Sequence, residues 1–190
     1  MSTAPNLKSL SVEDYLKGEL HSQTKYEYVD GRVYAMAGGT NVHNRIASRV
    51  LGSLYQQLAN SPCEPLNSDT KIRVQRQERN CFYYPDVSVV CQSNPDEDTY
   101  QDQPVVIVEV ISESTRRADE GEKCENYLTI PSLRVYVLLE QERCAAKTYV
   151  RGHDGEFHEM HYTEADSIIK LDSIAAELHF TDIYAGIEFA

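Results

Sequence analysis

Two carboxylates stand where carboxylates are expensive. Asp86 follows Tyr83-Tyr84-Pro85 and opens the β-rich run Val87-Ser88-Val89-Val90-Cys91, while Glu109 interrupts Val105-Val106-Ile107-Val108 and Val110-Ile111, the most hydrophobic stretch of the chain. An ionised carboxylate buried alone pays heavily for lost hydration. At about 4 Å and an effective dielectric near 20, two of them repel by roughly 4 kcal/mol, so a close pair shares a proton or a cation. Oxygen ligands at adjacent strand ends suit a hard divalent ion, Mg²⁺ or Mn²⁺, which keeps several waters and accepts phosphate oxygens in its open positions. The plainer alternative places each carboxylate in water at a strand end, or against an arginine such as Arg73.

Lys123 is a third candidate, because phosphodiester hydrolysis benefits from a cation that orients the attacking water and offsets charge growing on the phosphate. Asp119, Lys123 and Tyr127 are spaced four apart and stack on one face of a helix. The competing reading is a surface i,i+4 ion pair, worth about 0.3–0.5 kcal/mol. His43, at the start of another helix, can hydrogen-bond phosphate or water near neutral pH, or simply cap that helix. Arg116 and Arg117 are open to a nucleic-acid backbone or to plain solvation. His158 and His161 fall on a strand whose alternation sends them to opposite faces, which disfavours a metal site there. Gly38-Gly39 lacks the GxxxxGK[ST] pattern of a phosphate loop.

The elements that must position these residues follow from patterning. Ser11 caps a short helix to about Lys17. Tyr26 to Met36 reads as a hairpin turning at Asp30-Gly31, with Glu27 on its first strand. Ile46, Ala47, Val50, Leu51, Leu54 and Leu58 recur at helical spacing between Val42 and Ala59, and Pro62 stops that helix. Strands are predicted for Lys71 to Val74, Phe82 to Cys91, Val105 to Ile111 and Arg134 to Leu139. A helix capped by Ser114 or Thr115, weakened at Gly121 and ended by Pro131 joins the last two, which implies a partly parallel sheet with the Glu109 strand central. Lys147 to Val150 and Phe157 to Met160 form a hairpin, and Thr181 starts a final short helix. The tally is a mixed α/β sheet with long helices.

The string PDVSVV, the string VVIVEVISESTRRADEGEKCENYLTIPSLRVYVLL and the upstream KYEYVDGRVYAMAGGTNVHNRIASRVLGSL together resemble the Uma family of restriction endonucleases, part of the PD-(D/E)XK nuclease superfamily. The resemblance extends from about Tyr15 to Tyr184. It implies an α+β fold of the restriction-endonuclease type and a Mg²⁺- or Mn²⁺-dependent endonuclease acting on DNA, with Asp86 as the metal-binding Asp of the PD dipeptide and Glu109 as the acidic residue of the (D/E)XK strand. The superfamily lysine position holds Ile111, and the family's D-x-x-x-K-x-x-x-Y helix matches Asp119, Lys123 and Tyr127 instead. Glu27 matches an upstream acidic residue near the metal, and His43 a histidine common in the family. A homodimer with paired sites is a further expectation of the resemblance.

Composition bounds these readings. In 190 residues, Lys+Arg 18 against Asp+Glu 30 gives 18 − 30 = −12, with 41% hydrophobic and 25% charged residues. Such a chain suits one domain over 1–190 and excludes coating of nucleic acid by bulk charge, though a metal-bridged site can hold a phosphate within an acidic protein. No apolar run reaches the roughly 20 residues of a membrane span, and the amino terminus lacks a signal-peptide pattern, so a cytoplasmic location is expected. Five cysteines, odd in number and without a CxxC pair, are expected as scattered reduced thiols. Two other functions compete: a non-catalytic module binding nucleic acid or protein through the same groove, supported by the displaced lysine and the charge, and a small-molecule hydrolase using the carboxylates for acid–base work.

Overall fold

The computed structural model describes residues 9–76 and 79–189. Ser11 caps α1 (Val12–Glu19) by accepting from the Asp14 backbone N–H, as its side chain and spacing predict. Strands β1 (Tyr26–Val29) and β2 (Arg32–Ala35) pair antiparallel about Asp30 and Gly31, whose φ values of 47° and 89° are the left-handed pair a tight hairpin turn requires. Thr40 caps α2 (Asn41–Gln57), which buries Ile46, Val50 and Leu54 along one stripe.

The sheets follow from β3 (Glu64–Asn67), β4 (Lys71–Arg76), β5 (Arg79–Tyr83), β6 (Val87–Val90), β7 (Tyr100–Gln101), β8 (Pro104–Ile111), β9 (Val135–Glu140), β10 (Ala146–Arg151) and β11 (Phe157–Tyr162). One sheet has the order β2-β1-β5-β4-β7 and the other β11-β10-β9-β8-β6-β3. The β8–β9 pair is parallel, as a crossover between them demands. A small ladder of β12 (Ile168–Leu171) and β13 (Ala176–His179) leads into a last helical turn, Phe180–Ile183. The architecture is a mixed α+β fold, and among the described residues no helix is long and apolar enough to cross a membrane.

Period-two alternation divides the core. Val106, Val108 and Val110 face the α2 stripe, whereas Ile107 and Ile111, on the opposite face of β8, join Tyr127, Tyr136 and Leu138 in a second cluster. Glu109 shares that second face.

Three expectations need correction. Phe82 to Cys91 is not one strand: the chain leaves β5 at Tyr83 and enters β6 at Val87, in different sheets. Pro85 has no N–H for a ladder and keeps Tyr84 extended, so the break falls at the PD dipeptide. The helix expected from Ser114 to Ile130 is instead a π-helical turn, Ala118–Glu122, with Gly121 outside helical angles (φ −107°, ψ −105°), running into α3 (Lys123–Tyr127). Finally, Cys63 and Cys91 form a disulfide, because the antiparallel β3–β6 register that pairs Glu64 with Val90 brings the flanking residues opposite one another. Cys81, Cys124 and Cys144 are free thiols.

Candidate metal and hydrolytic centre

The break at Pro85 is what makes Asp86 available. Lying just outside the ladder between the two sheets, it accepts the Val110 backbone N–H at Oδ2 (2.7 Å), and its Oδ1 lies 2.9 Å from His43 Nε2. The Asp86 N–H in turn donates weakly to Glu109 Oε2 at 3.4 Å. The two carboxylates are thereby joined through backbone at the adjoining ends of β6 and β8, without an arginine between them. Arg73 is elsewhere, held in a fork by Asp102 at 2.7 Å from each oxygen, so the plainer arginine-paired alternative does not hold.

Lys123 stands at the centre of the acidic side chains. Its Nζ lies 2.8 Å from Glu27 Oε1, 3.3 Å from Glu109 Oε1 and 3.3 Å from Asp119 Oδ1. The lysine side chain is only 11% exposed, which removes the surface ion-pair reading. Three separate elements converge to do this: β1 carries Glu27, β8 carries Glu109, and the π-turn with α3 carries Asp119 and Lys123. Tyr127, one turn further along, donates to Glu109 Oε1 at 3.4 Å. The irregular helix thus retains the spacing that aligns Asp119, Lys123 and Tyr127.

Charge in this cluster is unbalanced. Three acidic side chains, Glu27, Glu109 and Asp119, surround the Lys123 ammonium, and a fourth, Asp86, meets His43. Burial pushes the Glu109 carboxyl well above its ordinary range; Lys123 opposes this, while Asp119, Asp86 and Glu27 reinforce it. Burial works against the Lys123 ammonium, but Glu109, Glu27 and Asp119 outweigh it and keep the group protonated. The hydrogen bond to Asp86 raises His43 above the usual histidine value against an opposing desolvation. A cation entering here would relieve real repulsion.

These side chains line a cleft of about 720 Å³ walled by the Ala35–Thr40 loop on one side and Ser112–Thr115 on the other. Gly39 in that loop has a physical reason to be glycine: a Cβ there would lie 2.5 Å from the His43 ring. The sequence carries no signal for the Val110 and Tyr84 N–H groups, yet they orient Asp86 and Glu27 respectively, the latter at 3.3 Å. Arg116 is not directed to the cleft; Glu140 takes its guanidinium at 2.9 and 2.6 Å. His158 and His161 are exposed beside Asp154 and Glu159, away from the centre.

Among the described residues, no group of three or more His, Cys, Asp or Glu side chains has the spacing of a ready-made metal cage. What the cleft offers is two hard carboxylates, Asp86 and Glu109, and open space beside them. Mg²⁺ is bound in that manner, through one or two carboxylates with water and substrate phosphate completing its shell.

Comparison with known proteins gives the family and the fold. Residues 12–182 match the Uma2 family, described as "Putative restriction endonuclease". An uncharacterized protein of Synechocystis sp. is 35% identical over 182 residues, covering 95% of this chain and 94% of its own, and a second from the same organism is 29% identical over 144 residues, covering 74% and 80%. A crystal structure from Anabaena variabilis, that of "a putative nuclease belonging to DUF820", superposes with a TM-score of 0.72 at 14% identity over 92% of this chain and 97% of that one. At that identity the likeness is one of fold.

Proposed function

Because this chain belongs to the Uma2 restriction-endonuclease family, we propose that it is a divalent-ion-dependent nuclease hydrolysing DNA phosphodiester bonds in the Asp86–Glu109 cleft. The observation that carries the reading is the acidic cluster: Glu27, Glu109 and Asp119 around the Lys123 ammonium, with Asp86 beside them against His43 and Glu109 held above its ordinary ionisation range. Asp86 and Glu109 fit Mg²⁺ or Mn²⁺ by ligand type and number. When bound, such an ion supplies charge stabilisation at the phosphate and lowers the pKa of water.

The remaining work falls to the chain. Lys123, fixed by Glu27 and Asp119, presents an ammonium that orients the attacking water and offsets charge on the non-bridging oxygens. It occupies the role the superfamily gives to a strand lysine, reached here from α3 because Ile111 of β8 points into the apolar core. Tyr127 and Val110 fix the two carboxylates, and His43 holds the second oxygen of Asp86.

The alternative is a non-catalytic module that binds nucleic acid or protein. On its side is the position of Lys123, whose ammonium already neutralises part of the cluster. A calorimetric Mn²⁺ titration separates the two. The nuclease reading expects saturable binding to the intact protein and its loss in Asp86→Asn and Glu109→Gln; heats that are absent, or equal in all three proteins, favour the module.

A further inference from the structure

A second groove, of about 880 Å³, runs along the β1–β2 hairpin between β4, β5 and α3. It adjoins the centre in two respects. Tyr34, which lines it, is the ladder partner of Glu27, and Glu122, which also lines it, directly precedes Lys123. Arg32 follows the same face of β2 two residues before Tyr34, so a strand leaving the catalytic cleft along β2 passes Tyr34 and then Arg32.

The groove sets three arginines against three acidic residues, Asp30, Glu122 and Glu125, a balanced lining in a chain that is short of cations. Arg32, Arg76 and Arg79 all line it, although the whole sequence has Lys+Arg 18 against Asp+Glu 30. Arg76 and Arg79 are ladder partners across β4 and β5, a like-charge opposition that destabilises a sheet unless an anion relieves it. Their donors are barely used among the described residues. Arg76 donates once, to Asn126 at 3.0 Å, and Arg79 meets only Asp30 at 3.5 Å with both side chains open to water. A guanidinium has five N–H donors in a fork that matches a phosphate.

Two further features narrow the ligand. Tyr34 is 50% exposed, an aromatic face standing in the groove without an aromatic neighbour among the described residues. Glu125 contributes an acceptor that would repel a bare phosphate, whereas Glu122 is engaged by the Tyr83 hydroxyl at 3.0 Å. A ligand that suits all of these has phosphates for the arginines, a ring for Tyr34 and amino donors for Glu125. Adenine, guanine and cytosine nucleotides have all three, and exposed base faces belong to a single strand.

We propose that this groove is a track for single-stranded DNA leading away from the catalytic cleft, with Arg32, Arg76 and Arg79 on the backbone and Tyr34 stacked on a base. The proposal rests on the nuclease reading for its substrate class, and its test is separable from that reading. The probe is a fluorescein-labelled oligodeoxycytidylate, titrated with the full chain in EDTA and followed by anisotropy across a salt series, so that neither ion binding nor cleavage enters. The double variant Arg32→Ala/Arg79→Ala, both sites being exposed, is expected to bind about tenfold more weakly at low salt. Its log K against log salt slope should be shallower by about 1.4, at about 0.7 for each phosphate no longer neutralised. Tyr34→Ala is expected to weaken binding about fivefold or more with the slope unchanged, and Tyr34→Phe to retain it. Circular dichroism checks folding of each variant. Wild-type affinity and slope in the double variant, no binding by the intact protein, or tighter binding of the corresponding duplex would each overturn the proposal. Cutting assays on the same preparations bear on the nuclease reading alone.

Discussion

Lys123 is the residue on which the centre turns. Its ammonium touches three carboxylates from three elements while remaining almost wholly inside the protein, and removing one partner from such a buried set leaves charges without compensation. Lys123→Ala should therefore destabilise the ion-free protein by about 3–5 kcal/mol. Under the proposed function, millimolar Mg²⁺ should restore part of that stability and leave cutting slow. Denaturant melts with EDTA and with Mg²⁺ check this; a variant as stable as wild type in EDTA would remove Lys123 from its central place. At this scale the sequence is informative about which residues matter, since carboxylates inside β-branched runs are conspicuous. It is silent on the partners that orient them, because backbone N–H groups run along the whole chain and only the fold makes those of Val110 and Tyr84 special.

Elements determine whether those side chains meet. The hairpin of β1 and β2 aims Glu27 at Lys123, and its turn depends on Gly31, whose φ of 89° disfavours any side chain and where an added Cβ would run into Ser9. Gly31→Ala should lower stability by about 1–3 kcal/mol, read as a shift in the thermal midpoint; an unchanged midpoint would mean that the turn adapts and that the hairpin is not held as described. The Asp30-Gly31 turn, α2 and the buried β8 are legible in the sequence because each has a strong local signal: turn residues, helical periodicity or an apolar run. The Phe82 to Cys91 stretch is not, since β propensity continues through Tyr83-Tyr84 and only a change of sheet divides it. The same holds for β3, whose sequence Glu64-Pro65-Leu66-Asn67 has little strand character and which is set by pairing with β6. Likewise, the helix before Pro131 has the right residues for continuous α-helix apart from Gly121, where the backbone departs from it.

At the scale of the molecule, the two sheets and α2 enclose a centre whose surplus negative charge matches the character of the whole chain. Tertiary pairing also explains the disulfide, which neither the odd cysteine number nor the spacing of Cys63 and Cys91 announces: their approach is a product of the β3–β6 register. A link across a sequence separation of 28 restricts the unfolded chain, so reduction with dithiothreitol, or the Cys63→Ser/Cys91→Ser pair, should lower the unfolding free energy by about 2–4 kcal/mol. Equal stability of oxidised and reduced protein in urea would show that the link contributes nothing.

Catalysis at Asp86 and Glu109 is tested most directly by cutting of a closed circular DNA in Mg²⁺ or Mn²⁺ by the intact protein and by Glu109→Gln purified side by side. The predicted result is nicked or linear product with the intact protein, none with the variant, and none for either in EDTA. Equal cutting by both proteins, or no cutting by the intact protein with either ion, would contradict it.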